Sequence, residues 1–133
     1  VVGNGGTAGE EEGVRFVGHV DDARLAELRA GASLALVPSR SAETFGLAAA
    51  EAMAAGLPVA ASRVGALPEL VGEEGLARPG DAGALAAAIE RLRADPRAGE
   101  RAFERVRTLC APEVVAGKLA EVYESSPLHF AGS

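Results

Sequence analysis

A chain of 133 residues, 48% of them apolar, suffices for one domain with one core and falls short of two. Thirteen basic residues against nineteen acidic ones leave a net charge of −6, the wrong sign for a phosphate-backbone binder, and exclude nucleic acid as the expected partner. One cysteine fits a reducing compartment, no apolar run reaches the roughly 20 residues that cross a bilayer, and no signal peptide opens the chain; a soluble, cytoplasmic piece is expected.

In chain order, "VVGNGG" reads as the end of a buried strand, Val1 to Gly3, running into a glycine turn without an initiator Met, as in a piece of something longer. "TAGEEEG" follows as a short connection, and "VRFVG", Val14 to Gly18, as the next strand. "DDARLAELRAG" is a helix with Asp21 or Asp22 as N-cap, Leu25 and Leu28 on one face and Gly31 as its stop. Ser33 to Pro38 is a strand; "FGLAAAEAMAAG" is a helix that stops at Gly56, with Pro58 preventing continuation. Pro58 to Ser62 is a strand, "ALPELV" a short helical turn around Pro68, and Gly75 to Arg78 a weak strand. "DAGALAAAIERLRAD" is a helix capped by Asp81, with Leu85, Ile89 and Leu92 at helical spacing, and Pro96 ends it. Helices over about Pro96 to Leu109 and Pro112 to Glu124 follow, with Cys110 as a small residue packed near a helix end.

Short apolar strands alternating with longer helices give an α/β fold, a parallel sheet covered on both faces whose strands need not alternate. The domain is expected to run over 1–124, and 125–133 to form an extended tail. With no Trp and five aromatic residues the core is aliphatic, and stacking platforms for bases are scarce.

The segment "SAETFGLAAAEAMAAGLPVAAS", Ser41 to Ser62, sets Glu43 and Glu51 in an alanine-rich run. On one helix, eight residues span roughly 12 Å and turn through roughly 80°. That is too far for the roughly 5–9.5 Å carboxylate pair of a glycoside hydrolase. Between them "TFG" places Gly46 at the first turn of a helix that follows a parallel strand, where free N–H groups and the helix dipole favour an anion. The middle of the segment therefore reads as a phosphate cradle, with Glu51 placed further along to grip a hydroxyl pair. A Glu beside the macrodipole or on a solvated helix face is the simpler alternative for each. For Glu51 it is weakened by the surrounding alanines, which make the helix apolar nearly all round and imply burial.

"PSRSAETFGLAAAEAMAAGLPVAASRVGALPELV" resembles the E-x7-E region of the retaining, nucleotide-sugar-dependent glycosyltransferases of family 4, the group 1 glycosyltransferases. "VRFVGHVDDARLAEL", "LALVPSR" and "RPGDAGALAAAIERL" are similar as well, so the resemblance runs over about Val1 to Tyr123. It implies the donor-binding, C-terminal Rossmann-like half of a GT-B enzyme with the N-terminal part of that domain missing. Glu43 would contact the transferred sugar as the catalytic-site carboxylate. The backbone at Thr44, Phe45, Gly46 and Leu47 would meet the donor diphosphate, and Glu51 would bind the ribose hydroxyls. The donor would be a UDP- or GDP-sugar, used without a metal or other cofactor, and the acceptor would be held by an N-terminal domain of the parent chain.

The chain departs from the family in having Thr44 where Pro is frequent, in "GA" at Gly65-Ala66 for a paired glycine, and in the short "TAGEEEG". The family's basic Arg/Lys pair for the donor phosphates would precede Val1. Arg40, Arg63 and His19 follow strand ends on the ligand side; Arg40 and His19 are retained as possible donor contacts beside their ordinary surface roles. The rival readings are a non-catalytic ligand-binding or assembly module of the same fold, and a nucleotide-sugar epimerase of GT-B architecture. A fragment of this kind is expected to bind donor without transferring sugar.

Overall fold

The computed structural model describes residues 9–41 and 46–113, with 116, 117 and 120 beyond them. The expected strand at Val1 to Gly3, the loop Ala42 to Phe45 and the tail from 125 lie outside the described residues. Of the helix expected over Pro112 to Glu124, the described residues Pro112, Glu113, Ala116, Gly117 and Ala120 are helical. The chain divides into two compact units, Val1–Ala32 and Ser33–Ser133.

In the first unit β1 (Gly9–Glu11) pairs antiparallel with β2 (Val14–Phe16), Glu11 opposite Val14. Among the described residues Val14 to Phe16 pair only with this added antiparallel strand, which the sequence did not announce. The physical reason lies at the tip, where Glu12 (φ 44°) and Gly13 (φ 82°) both adopt left-handed backbone. Two such residues make the tight turn whose twist matches a hairpin. Glutamates are poor strand formers, which hid β1 in "GEE". Helix α1 (Asp22–Ala30) begins as read: the Asp21 carboxylate accepts from the Arg24 N–H at 2.8 Å, and Gly31 closes the helix.

The second unit holds a parallel sheet in the order β3 (Ala35–Val37), β4 (Val59–Ser62), β5 (Leu76–Ala77). Ala35 pairs with Val59 and Val37 with Ala61; Ala61 pairs in turn with Leu76 and Ser62 with Ala77. Helix α2 (Leu47–Ala54) joins β3 to β4. Helix α3 (Leu67–Leu70) and a 3-10 turn (Glu73–Gly75) join β4 to β5, and α4 (Ala82–Ala94) and α5 (Ala98–Leu109) follow.

All four residues of β4 are buried, as expected of a strand covered on both faces. Val59 and Ala61 face a core of Met53, Leu67, Leu70 and Val106, built by α2, α3 and α5. Ala60 faces the other way, into Ala88, Leu92 and Ala98. The methyl groups of Ala60 and Ala61, both wholly buried, let the two helical layers approach the sheet closely. Cys110 caps α5 as read, but it is exposed rather than packed.

Ion pairs tie the connections down. The Arg63 guanidinium donates to both carboxylate oxygens of Glu73, at 3.0 and 2.5 Å, and Arg101 pairs with Asp95 and, at 3.6 Å, with Glu74. Asp95 also accepts from the Arg97 N–H at 2.9 Å. The hydrogen bond from Arg63 holds the Glu73 carboxyl below its usual range, and that from Arg101, then the Arg97 N–H, does the same for Asp95. A carboxyl depressed in the folded state contributes stability above its unfolded value, and this is lost as pH falls through the folded one. The stability difference between the wild type and Arg101→Gln, followed by thermal unfolding, is expected to shrink as pH drops below the ordinary carboxylate range. A difference that stays constant into acid would contradict this assignment.

Candidate functional site

Because β3, β4 and β5 are parallel, their C-terminal ends open on one edge of the unit, the edge where open α/β sheets bind ligands. Pro38 to Ser41 leave β3 there, Arg63 leaves β4, and Arg78 to Asp81 leave β5. The N-terminus of α2 reaches the same region through Gly46.

Gly46 is buried in left-handed backbone (φ 63°, ψ 32°), and its carbonyl accepts the first helical bond, from the Ala50 N–H at 2.9 Å. A Cβ on it would lie 3.2 Å from Leu70 Cδ2 and 3.5 Å from Leu67 Cδ2, so the α2 entry rests on the α3 leucines. Gly46→Ala is expected to cost about 1–2 kcal/mol for the left-handed backbone alone, measurable by urea unfolding. A loss of less than half that would mean the turn relaxes without penalty.

Helices α1 and α4 each have an aspartate that accepts from a first-turn N–H: Asp21 from Arg24, and Asp81 from Ala84 at 2.8 Å. Helix α2 has no side-chain cap. Among the described residues its first-turn N–H groups therefore have no side-chain acceptor, and they carry the positive end of the helix dipole. This is the arrangement that receives an anion.

Four residues on, Glu51 lies on the same helical face as Leu47. That face is exposed: Leu47 is 65% accessible, and Ala48, Glu51, Ala54 and Ala55 are exposed with it. The expectation of a helix buried nearly all round is thus corrected. Alanine packs as well against a core as it stands in water, so an alanine-rich helix does not announce its buried face; here it is Ala49, Ala52 and Met53. Glu51 stands at the surface, roughly 6 Å along the axis from Leu47. It can reach a ligand whose anionic end sits at the helix start.

Glu43, Thr44 and Phe45 lie outside the described residues. Arg40 is exposed on the loop after β3 and lines a cleft of about 130 Å³ at the strand ends, together with Ser62 and Arg78. Arg63 is taken up by Glu73. His19 is exposed and belongs to the first unit. The structure therefore brings Gly46, Leu47 and Glu51 together on α2. Ser62 and Arg78 went unread in the sequence; the available signal was one hydroxyl ending the otherwise apolar "VAAS". A larger cavity, about 370 Å³, lies at the opposite edge, lined by Pro58 and Val59 at the start of β4. Its arginines serve the fold: Arg105 donates to the carbonyls of Leu70 and Glu69, at 2.7 and 2.9 Å. It lies away from the C-terminal ends of the strands.

A parallel sheet between two helical layers, with a glycine-led helix at the strand ends, defines a Rossmann-like α/β unit. The chain belongs to the glycosyl transferases group 1 family, whose model matches residues 2–95. It is 40% identical over 115 residues to the MMP alpha-(1->4)-mannosyltransferase of Mycolicibacterium hassiacum, covering 80% of this chain and 28% of that one. With the phosphatidyl-myo-inositol mannosyltransferase of Mycobacterium leprae it shares 39% over 121 residues, 86% of this chain and 32% of the relative. Among solved structures, sucrose-phosphate synthase from Thermosynechococcus elongatus matches with a TM-score of 0.70 at 43% identity, over 85% of this chain and 30% of that one. Anabaena Alr3699/HepE, in complex with UDP-glucose, matches with a TM-score of 0.67 at 27% identity, over 87% of this chain and 33% of that one. The chain thus spans about a third or less of the length of these relatives. Among the described residues, no helix is long and apolar enough to cross a membrane.

Proposed function

We propose that this chain is the donor-binding part of a retaining glycosyltransferase that takes a sugar from a nucleoside diphosphate, UDP or GDP, and gives it to an acceptor hydroxyl. The observation that carries the reading is the start of α2, led by a left-handed glycine and without a side-chain cap among the described residues, with Glu51 four residues on from Leu47 along the exposed face. The family membership supports sugar transfer, and the UDP and UDP-glucose complexes of Anabaena Alr3699/HepE support a uridine nucleotide.

In this reading the N–H groups of the first α2 turn receive the donor diphosphate and stabilise its charge as the glycosidic bond breaks. Glu51 accepts from the ribose hydroxyls and sets the register of the nucleotide. Glu43 orients the sugar beside the departing phosphate, and the acceptor hydroxyl attacks from the face the diphosphate leaves. Positioning and electrostatics carry the chemistry, and no metal enters. The acceptor is held by an N-terminal domain outside these residues, in a cytoplasmic protein. The 133 residues alone bind donor and do not transfer it.

Calorimetric titration of the chain with UDP, GDP and ADP, and with UDP-glucose and GDP-mannose, tests the reading. Saturable binding of one nucleotide series is expected. Failure of every nucleotide to bind would overturn the donor role, and sugar transfer or donor hydrolysis by the isolated chain would overturn its assignment as a donor-binding part only.

A further inference from the structure

We propose that the cleft at the ends of β3, β4 and β5 is a second anion site, one that receives a phosphoryl group and is separate from the nucleotide end of α2. Three observations converge on it. Ser62, which closes β4, is 4% exposed, and among the described residues its hydroxyl has no hydrogen-bonding partner. No side-chain polar atom among the described residues is sealed from solvent without a partner, so this hydroxyl opens into the cleft it lines. With no protein partner, the hydroxyl is available to bond to whatever occupies the cleft.

Two arginines flank it. Arg40 comes from the loop after β3 and Arg78 directly follows β5, the strands on either side of Ser62, and both line the cleft. The other arginines among the described residues are engaged. Arg24, Arg93, Arg97 and Arg107 pair along their helices, Arg63 and Arg101 bridge connections, and Arg91 and Arg105 donate to carbonyls. Arg15 and Arg29 have interactions of their own. Of the described arginines, Arg40 and Arg78 alone have neither an ion pair nor a side-chain hydrogen bond, and both are exposed residues that line one small hollow.

The remaining wall sets the ligand class. Asp81 turns its carboxylate onto the Ala84 N–H, so the start of α4 is already capped and offers no anion cradle of its own. Recognition would fall to the guanidinium forks and the serine, a donor set suited to a tetrahedral oxyanion. About 130 Å³ accommodates a phosphoryl group with a small substituent, well short of the roughly 300 Å³ or more of a pocket for a drug-sized ligand. The cleft lies on the α4 side of the sheet, where Leu85 closes it, whereas α2 covers the opposite face.

The test is titration of the chain with inorganic phosphate and with glycerol 3-phosphate, followed by amide NMR at constant ionic strength. Saturable shifts centred on Ser62 and Arg78 are expected. Arg78→Gln should weaken them about tenfold or more and Ser62→Ala by a smaller factor, while both variants retain the wild-type circular dichroism. UDP affinity should be unchanged in Arg78→Gln, and UDP should not compete. Tighter binding of the phosphomonoester identifies a phosphorylated metabolite as the ligand, and equal binding identifies free phosphate. Loss of the shifts on UDP addition would overturn the proposal by placing nucleotide in this cleft; unchanged binding in both variants, or no saturation with either probe, would overturn it without bearing on whether nucleotide binds at α2.

Discussion

Gly75→Ala is expected to destabilise the second unit by about 3 kcal/mol or more, at the upper end of what overpacking costs. A Cβ at this position would sit 2.2 Å from the Val59 carbonyl oxygen and 3.0 Å from Val71 Cγ1. The first contact is with the backbone of the central strand, which cannot rotate away as a side chain can. Gly75 ends the 3-10 turn that delivers the chain to β5, and its N–H donates to the Gly72 carbonyl at 2.9 Å. Any added atom therefore pushes β5 off β4 and disturbs the pairing of Leu76 with Ala61. Gly80→Ala is the control: Gly80 has left-handed backbone (φ 76°) but nothing within 4 Å of an added Cβ, so it should lose only the about 1–2 kcal/mol of conformational strain. Urea unfolding of both variants separates a steric from a conformational role. Equal losses would refute the close approach at Gly75.

That contrast shows where sequence reading reaches and where it stops. The strands and helices of the second unit were legible because each carries local punctuation: Asp81 before α4, Gly56 and Pro58 after α2, Pro96 after α4. The β1–β2 hairpin was not legible, because its turn is Glu12-Gly13 and its first strand is "GEE", residues whose preferences do not favour a strand. The exposure of Glu51 was also missed. Which stripe of α2 turns inward is decided by the sheet and by Val106 on α5, a contact between residues more than fifty positions apart that no local spacing encodes. The site role proposed for Glu51 comes by a different route, from the family resemblance of the run of residues around it. The cleft at Ser62 depends wholly on tertiary structure, since Arg40, Ser62 and Arg78 are strangers in the sequence and neighbours only through the order β3-β4-β5.

Glu51→Ala is expected to leave folding stability nearly unchanged, because the side chain is exposed on α2, and to weaken nucleotide binding about 10- to 100-fold, the range for a lost hydrogen bond to a charged group. The size of the loss does not by itself place the contact on the ribose; the pairing of variant and ligand does. A carboxylate that accepts from both ribose hydroxyls loses one bond when the ligand is 2′-deoxy-UDP and both when it is itself removed. Wild type should therefore bind UDP more tightly than 2′-deoxy-UDP, and Glu51→Ala should bind the two alike. Glu51→Gln, which keeps one acceptor oxygen without the charge, should fall between. The coupling read from this cycle isolates the contact from any indirect effect on the helix. If the two losses simply add, Glu51 acts elsewhere than on the ribose, and the nucleotide register assigned to α2 is wrong. If they do not add, the roughly 6 Å between Leu47 and Glu51 is the span between the diphosphate and the ribose diol. The anion at the start of α2 and the sugar hydroxyls one turn along would then be parts of a single ligand.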